Sequence, residues 1–118
     1  MSLVHLPQQP TFQQQGLAGY RYPLQTDAFE LYRVEVTKGH DYYIISKTIT
    51  HTYYILDGAG TFDINGVVQP VKAGDCVEVQ PGVEYTYSGT MTVHLLMSPP
   101  WYEGNEIRTK PNPAVMTE

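Results

Sequence analysis

With a single cysteine, Cys76, in 118 residues, this chain has no internal disulfide to staple it. That usage suits a reducing compartment, so cytoplasmic residence is the expectation. Cys76 sits in the alternating run "DCVEV", which reads as a small strand residue rather than a nucleophile. Basic residues are scarce as well: seven Lys and Arg stand against twelve Asp and Glu, for a net charge of −5. A nucleic-acid partner calls for a basic face, so none is expected. No apolar run approaches the length that spans a bilayer, and no membrane partner is expected. The opening "MSLVHLPQQP" has neither a basic stretch nor a long apolar one, so no secretory leader is expected.

Helical periodicity is also missing. After residue 28 no segment repeats with a period near 3.6, whereas period-two alternation recurs. In "FELYRVEV", Tyr32, Val34 and Val36 share one face and Leu31, Arg33 and Glu35 the other. "YYIISK" and "HTYYIL" follow, then "GTFDI" and "VVQPV" joined by Asn65-Gly66. That pair between alternating runs predicts a two-residue hairpin, because both turn positions need positive φ. "DCVEVQ", "EYTYS" and "MTVHLLM" come next, separated by the turn segments "KAGD", "PG" and "SGT". Roughly eight short strands with tight turns predict an all-β barrel or sandwich. Ten tyrosines against three phenylalanines fit either wet cavities or exposed sheet faces. Three segments are expected: an N-terminal arm over 1–28, a barrel over 29–102 and a polar, extended or frayed tail over 103–118.

The strand region resembles the cupin superfamily, in particular its small single-domain members. The first cupin motif runs Gly, five residues, His-x-His, three or four residues, Glu, six residues, Gly, and Gly39 and Gly58 stand at that separation. In "GDCVEVQPGVEYTYSG" Gly74, Asp75 and Gly82 keep the register of the second motif, with Pro81 one place late. The resemblance implies a single-domain antiparallel cupin barrel of jelly-roll type. It also implies a departure in chemistry. The family's paired histidines fall on Ile45 and Lys47, its glutamate on His51 and its last histidine on Tyr85. A first-row metal needs about three strong ligands, which one imidazole and one phenol do not supply. If Lys47 points inward, its ammonium would also repel a cation. The expectation is a dismantled metal site and no cofactor.

His51 is read as a pocket base or hydrogen-bonding group, with Tyr53 and Ile55 on its face at period two. Tyr85, in a former ligand slot, is the second catalytic candidate and is expected to lie within hydrogen-bonding reach of His51. Lys47 is either a substrate anchor or an outward, snorkelling side chain. His94 shares a face with Thr92 and Leu96 and lines either the barrel mouth or the solvent side. His40 follows Gly39 and is expected in an exposed turn. The expected ligand pocket therefore comprises Lys47, His51, Tyr53, Tyr85 and His94.

Two functions from different classes fit these residues. One is a metal-free cupin that binds a small polar or carbohydrate-like ligand without catalysis. The other is an enzyme of the sugar isomerase or epimerase kind, with His51 and Tyr85 as an acid–base pair and Lys47 steadying an enolate. A third reading keeps a rearranged metal site with His51, His94 and a further ligand. A homodimer is expected, because the polar N-terminal arm is suited to adding to a neighbour's sheet edge.

Overall fold

The computed structural model describes residues 3–116, and within them the chain forms nine strands and no helix. In chain order these are β1 (Phe12–Gln14), β2 (Leu17–Arg21), β3 (Glu30–Val36), β4 (Tyr42–Ser46) and β5 (Thr50–Ile64). They continue with β6 (Val67–Lys72), β7 (Cys76–Val79), β8 (Glu84–Ser98) and β9 (Glu106–Pro111). Every pairing is antiparallel. The strand order β1-β2-β3-β8-β4-β9, with β5 joining β8 to β6 and β7, curls one sheet into the barrel wall. Among the described residues no helix is long and apolar enough to cross a membrane.

β5 and β8 are each 15 residues long and pair along nearly their whole length. The first half of β5 pairs with β7 and the second half with β6. The first half of β8 pairs with β4 and the second half with β3. Each long strand therefore serves both walls, and both must bend in the middle. Glycines make the bend possible. Gly60 and Gly89 are opposite partners, and a Cβ on Gly89 would lie 2.5 Å from Gly60 Cα. The φ of Gly89 is 136°, in a region that side-chain-bearing residues rarely adopt. The segment "SGT", expected to be a turn between two strands, is thus a continuous bent strand. "HTYYIL" and "GTFDI" likewise merge into one.

The other sequence features are placed as follows. Asn65 and Gly66 take φ values of 52° and 84° in the β5–β6 hairpin, the geometry such a two-residue loop requires. Tyr32, Val34 and Val36 are buried, while Arg33 and Glu35 form an exposed 2.8 Å pair on the opposite face. The core gathers the inward residues of both walls, among them Ile44, Tyr53, Ile55, Phe62, Tyr85 and Val93.

The termini differ from the arm and tail expected of them. Residues 12–21 form a hairpin that extends the sheet beside β3. Residues 106–111 form β9, which pairs with β4. Two buried asparagines hold this last strand. Asn105 accepts from the Thr48 backbone N–H at 3.0 Å and donates to Ser46 Oγ at 2.9 Å. Asn112 donates through Nδ2 to the His40 carbonyl at 2.9 Å, and its backbone N–H reaches the Asp41 carbonyl at 2.8 Å. A polar tail becomes a strand because side-chain amides at its two ends bond polar groups of neighbouring segments, Asn105 the Thr48 N–H and Ser46 hydroxyl and Asn112 the His40 carbonyl. Asn112→Ala leaves the buried His40 carbonyl short of a donor and is expected to cost about 1–3 kcal/mol in urea unfolding.

Candidate functional site

The barrel holds a partly open cavity of about 460 Å³, within the roughly 300–1,000 Å³ usual for small-molecule sites. Its apolar wall includes Phe12, Ile44, Leu95, Met97 and Trp101, and its polar groups come from His40, His51, Tyr53, Tyr87, Glu106 and Arg108. The N-terminal hairpin supplies residues 11–14.

His40 was expected in an exposed turn, and this expectation is corrected: the residue is 6% exposed and faces the cavity. The cause is local. Gly39, at φ 141°, brings the backbone against β8 so closely that a Cβ there would meet the Tyr87 carbonyl at 2.3 Å. The next residue then turns inward, its N–H bonded to the same Tyr87 carbonyl at 3.0 Å. His40 Nδ1 lies 2.9 Å from the Tyr42 carbonyl and 3.3 Å from the Tyr42 backbone N–H, and the shorter contact, to an acceptor, favours the proton on Nδ1. Nε2 is left with its lone pair, 3.5 Å from the Gln14 side-chain amide nitrogen. Asp41 Oδ1, buried and without a hydrogen-bond donor, stands 3.4 Å from Nδ1. Burial holds the His40 pKa below its ordinary value, while the Asp41 carboxylate acts the other way. The result is a neutral imidazole with an available base nitrogen and a carboxylate behind it.

His51 lies on β5 and is 2% exposed, with the cavity before it. Burial, opposed by the Ile49 backbone, lowers its pKa to about 4. The Ile49 backbone acts on the ring without completing a hydrogen bond, and both ring nitrogens are unpartnered. Tyr85 is near, at 6.1 Å between ring centroids, but the anticipated His51–Tyr85 hydrogen bond is not formed. The Tyr85 hydroxyl is shared with that of Tyr53 at 2.5 Å instead. Burial keeps the Tyr53, Tyr85 and Tyr87 phenols well above their usual pKa, so all three remain protonated. Tyr53 and Tyr87 pack around Phe62, with ring centroids 5.1 Å from it in each case.

Three expected pocket residues, Lys47, Tyr85 and His94, do not line the cavity. Lys47 is exposed and does not line the cavity. Ile44 and Ser46 are the buried residues of β4, so Ile45 and Lys47 fall on the opposite face. The spacing of the first motif is one residue out of phase with the strand here. His94 sits on the outer side, opposite Arg33 and Tyr54 on its neighbouring strands, with Nε2 3.5 Å from the Tyr22 hydroxyl. Tyr85 is fully buried behind Tyr53 and does not line the cavity.

Glu106 and Arg108, which sequence reasoning passed over, enter from β9. Glu106 Oε1 stands 4.0 Å from His51 Nε2, and burial raises its pKa. The Arg108 guanidinium lies over the Tyr42 ring at 4.9 Å and lines the same space. The one sequence signal for this strand is the short alternation in "EIRTK". Tyr87 shares the period of Tyr85 in "YTY" and was legible there as a second inward phenol.

The residues do not fit a metal ion. Among the described residues no group of three His, Cys, Asp or Glu side chains converges as a metal site would require. The inward positions of β4 are an isoleucine and Ser46, and the Ser46 hydroxyl is taken up by the Ile49 carbonyl and Asn105.

Acidic pH tests the burial of these histidines. His51 in the unfolded chain titrates near 6.5 and in the fold near about 4, so the unfolded state binds the extra proton between those values. Stability is therefore complete above about pH 6.5 and falls as pH drops toward 4, by about 3 kcal/mol for a shift of this size. Chemical denaturation across that window checks it. His51→Gln should reduce the slope, leaving the parts due to His40, His94 and the shifted carboxyl groups of Glu35 and Glu106.

A curled antiparallel barrel with a partly open cavity of mixed apolar and polar lining defines a small-molecule-sized site on a β scaffold. The sequence profile of the Cupin domain matches residues 32–98, and the chain belongs to this family. No curated protein sequence matches it significantly. Among solved structures, Pac13, a nucleoside dehydratase, superposes with a TM-score of 0.80 at 25% identity, covering 92% of this chain and 86% of that one. Variants of the Streptomyces protein, with uridine, match equally well at 24% identity. KdgF from Halomonas (TM-score 0.67, 15% identity, 77% and 86% covered) shares the fold. So does ectoine synthase from P. lautus (0.65, 18%, 86% and 81%).

Proposed function

We propose that this chain binds a nucleoside in the barrel cavity and removes water from it, with His40 as the proton-transferring group. One observation carries the reading. The Pac13 variants with uridine alter a histidine and two tyrosines, and those positions are separated by the same intervals as His40, Tyr53 and Tyr87. In this chain all three line one cavity.

The geometry supports that chemistry. Dehydration breaks a C–H and a neighbouring C–O bond, forms a C=C bond and releases water. It needs a base for the carbon-bound proton and an acid for the departing hydroxyl. His40 Nε2, held unprotonated by the Nδ1–H bond to the Tyr42 carbonyl, can take the proton. The imidazolium so formed is supported by Asp41 and can return that proton to the leaving oxygen. Tyr87, locked as a protonated phenol, is a donor suited to a ligand oxygen, and Tyr53 is another when Tyr85 donates the hydrogen bond between them. A single cation, Arg108, lines the cavity beside Glu106, a balance suited to an uncharged nucleoside rather than a nucleotide.

The isomerase-type alternative, with His51 and Tyr85 as acid and base, is less well supported. The Tyr85 hydroxyl is engaged by Tyr53 and does not reach the cavity. Calorimetry with uridine tests binding, and mass spectrometry of uridine and its carbonyl-bearing oxidised derivatives tests for loss of one water. Failure of every such compound to bind would overturn the reading.

A further inference from the structure

We infer that His51 and Glu106 form a hydroxyl clamp, a second polar pole of the cavity that holds one hydroxyl group of the bound sugar. The inference deepens the nucleoside reading of the same cavity, but rests on different atoms from those that carry that reading.

Three observations lead to it. First, His51 is 2% exposed and both of its ring nitrogens are unpartnered. A buried imidazole with neither nitrogen bonded is costly, and such an exception asks for a missing partner. Second, the ring belongs to the cavity wall, so a partner arriving there would be a ligand group or a water that one displaces. Third, Glu106 Oε1 stands 4.0 Å from His51 Nε2. That gap is too long for a direct hydrogen bond and suits one inserted oxygen. An oxygen about 2.8 Å from both atoms makes an angle of about 90° between them, within the range a hydroxyl accepts.

A hydroxyl matches this gap better than other groups. It both donates and accepts, and each wall group can take either part. A neutral His51 offers an N–H or a lone pair at Nε2 according to tautomer, and Glu106 offers the complement according to protonation. A phosphate or carboxylate would instead meet the Glu106 carboxyl and a neutral imidazole, and the one cation near this pole, Arg108, already acts on Glu106. His40 works with Asp41, Tyr42 and Gln14, whereas His51 works with a residue from β9. The clamp therefore positions and selects the ligand, while proton transfer stays with His40.

The test follows His51 ring-nitrogen resonances in ¹⁵N-labelled full-length protein during additions of D-ribose, uridine, and 2′-, 3′- and 5′-deoxyuridine. The expected result is that uridine moves the His51 nitrogens and that one deoxyuridine binds about tenfold more weakly than uridine. In His51→Phe that one penalty should disappear, while the other analogues keep their relative order. If His51→Phe does not fold, Glu106→Leu is read the same way, and a penalty unchanged in it overturns the clamp. Uridine that perturbs His40 and Tyr87 but not His51 overturns the clamp and leaves the nucleoside reading standing. Ribose that moves His51 while uridine moves nothing overturns the nucleoside reading and leaves the clamp. Silence of His51 toward every compound overturns the clamp outright.

Discussion

His40→Gln is expected to slow water elimination by about 10²–10⁴-fold while changing uridine affinity only a few-fold. Glutamine keeps much of the imidazole's volume and can still donate to the Tyr42 carbonyl, now 2.9 Å from Nδ1. It has no group that takes a proton near neutral pH, so the loss should fall on the chemical step rather than on binding. Asp41→Asn should have a smaller effect in the same direction. Its carboxylate stands 3.4 Å from Nδ1 and supports the charged ring without touching the ligand. The pH profile adds a second reading. Burial lowers the His40 pKa from 6.5, so the base stays unprotonated into mildly acidic solution and the acid limb of the rate should lie below 6.5. Steady-state kinetics with calorimetry separates the outcomes. Affinity and turnover falling together would mark a structural role for His40, and unchanged turnover would remove it from the mechanism.

The fold was readable from alternation because period two is a local signal, and Asn65-Gly66 fixed one hairpin unambiguously. What local pattern cannot show is whether a glycine ends a strand or bends it. Gly60 and Gly89 face each other across β5 and β8, and only that long-range pairing makes them a bend. The same limit explains the site. His51 and Tyr53 were legible because they alternate on one strand. His40 was not, because its inward turn depends on Gly39 meeting the Tyr87 carbonyl on a strand far along the chain. Glu106 and Arg108 were hidden for a related reason. A short polar segment becomes a strand only when β4 offers it an edge and Asn105 and Asn112 anchor its ends. Lys47 was misplaced by motif spacing, which counts residues along the chain but does not see which of them face inward. Burial alternation on β4 shows Ile44 and Ser46 inside and Lys47 outside.

The largest effect on stability is expected from Phe62→Ala. Phe62 is fully buried on the second half of β5, 5.1 Å from the rings of both Tyr53 and Tyr87. Removing a buried phenylalanine ring costs about 3–5 kcal/mol, the lost transfer energy plus the hole left behind. That is a large part of the roughly 5–15 kcal/mol that holds a domain together. The surrounding wall has little freedom to close the gap. Gly60 and Gly89 already bring β5 and β8 to close contact nearby, and Tyr53 is tied to Tyr85 through the 2.5 Å hydroxyl bond. The hole therefore persists, and the two cavity-facing tyrosines lose the ring that fixes their positions. Uridine affinity should fall along with stability, although Phe62 does not line the cavity. Val68→Ala, on the neighbouring β6 at 62% exposure, is the matched control and should change stability by no more than about 0.5 kcal/mol. Guanidinium unfolding of both variants, with uridine calorimetry on each, tests the argument. A Phe62→Ala cost below about 1 kcal/mol would mean that the wall repacks, and Phe62 would then not be what holds Tyr53 and Tyr87 in place.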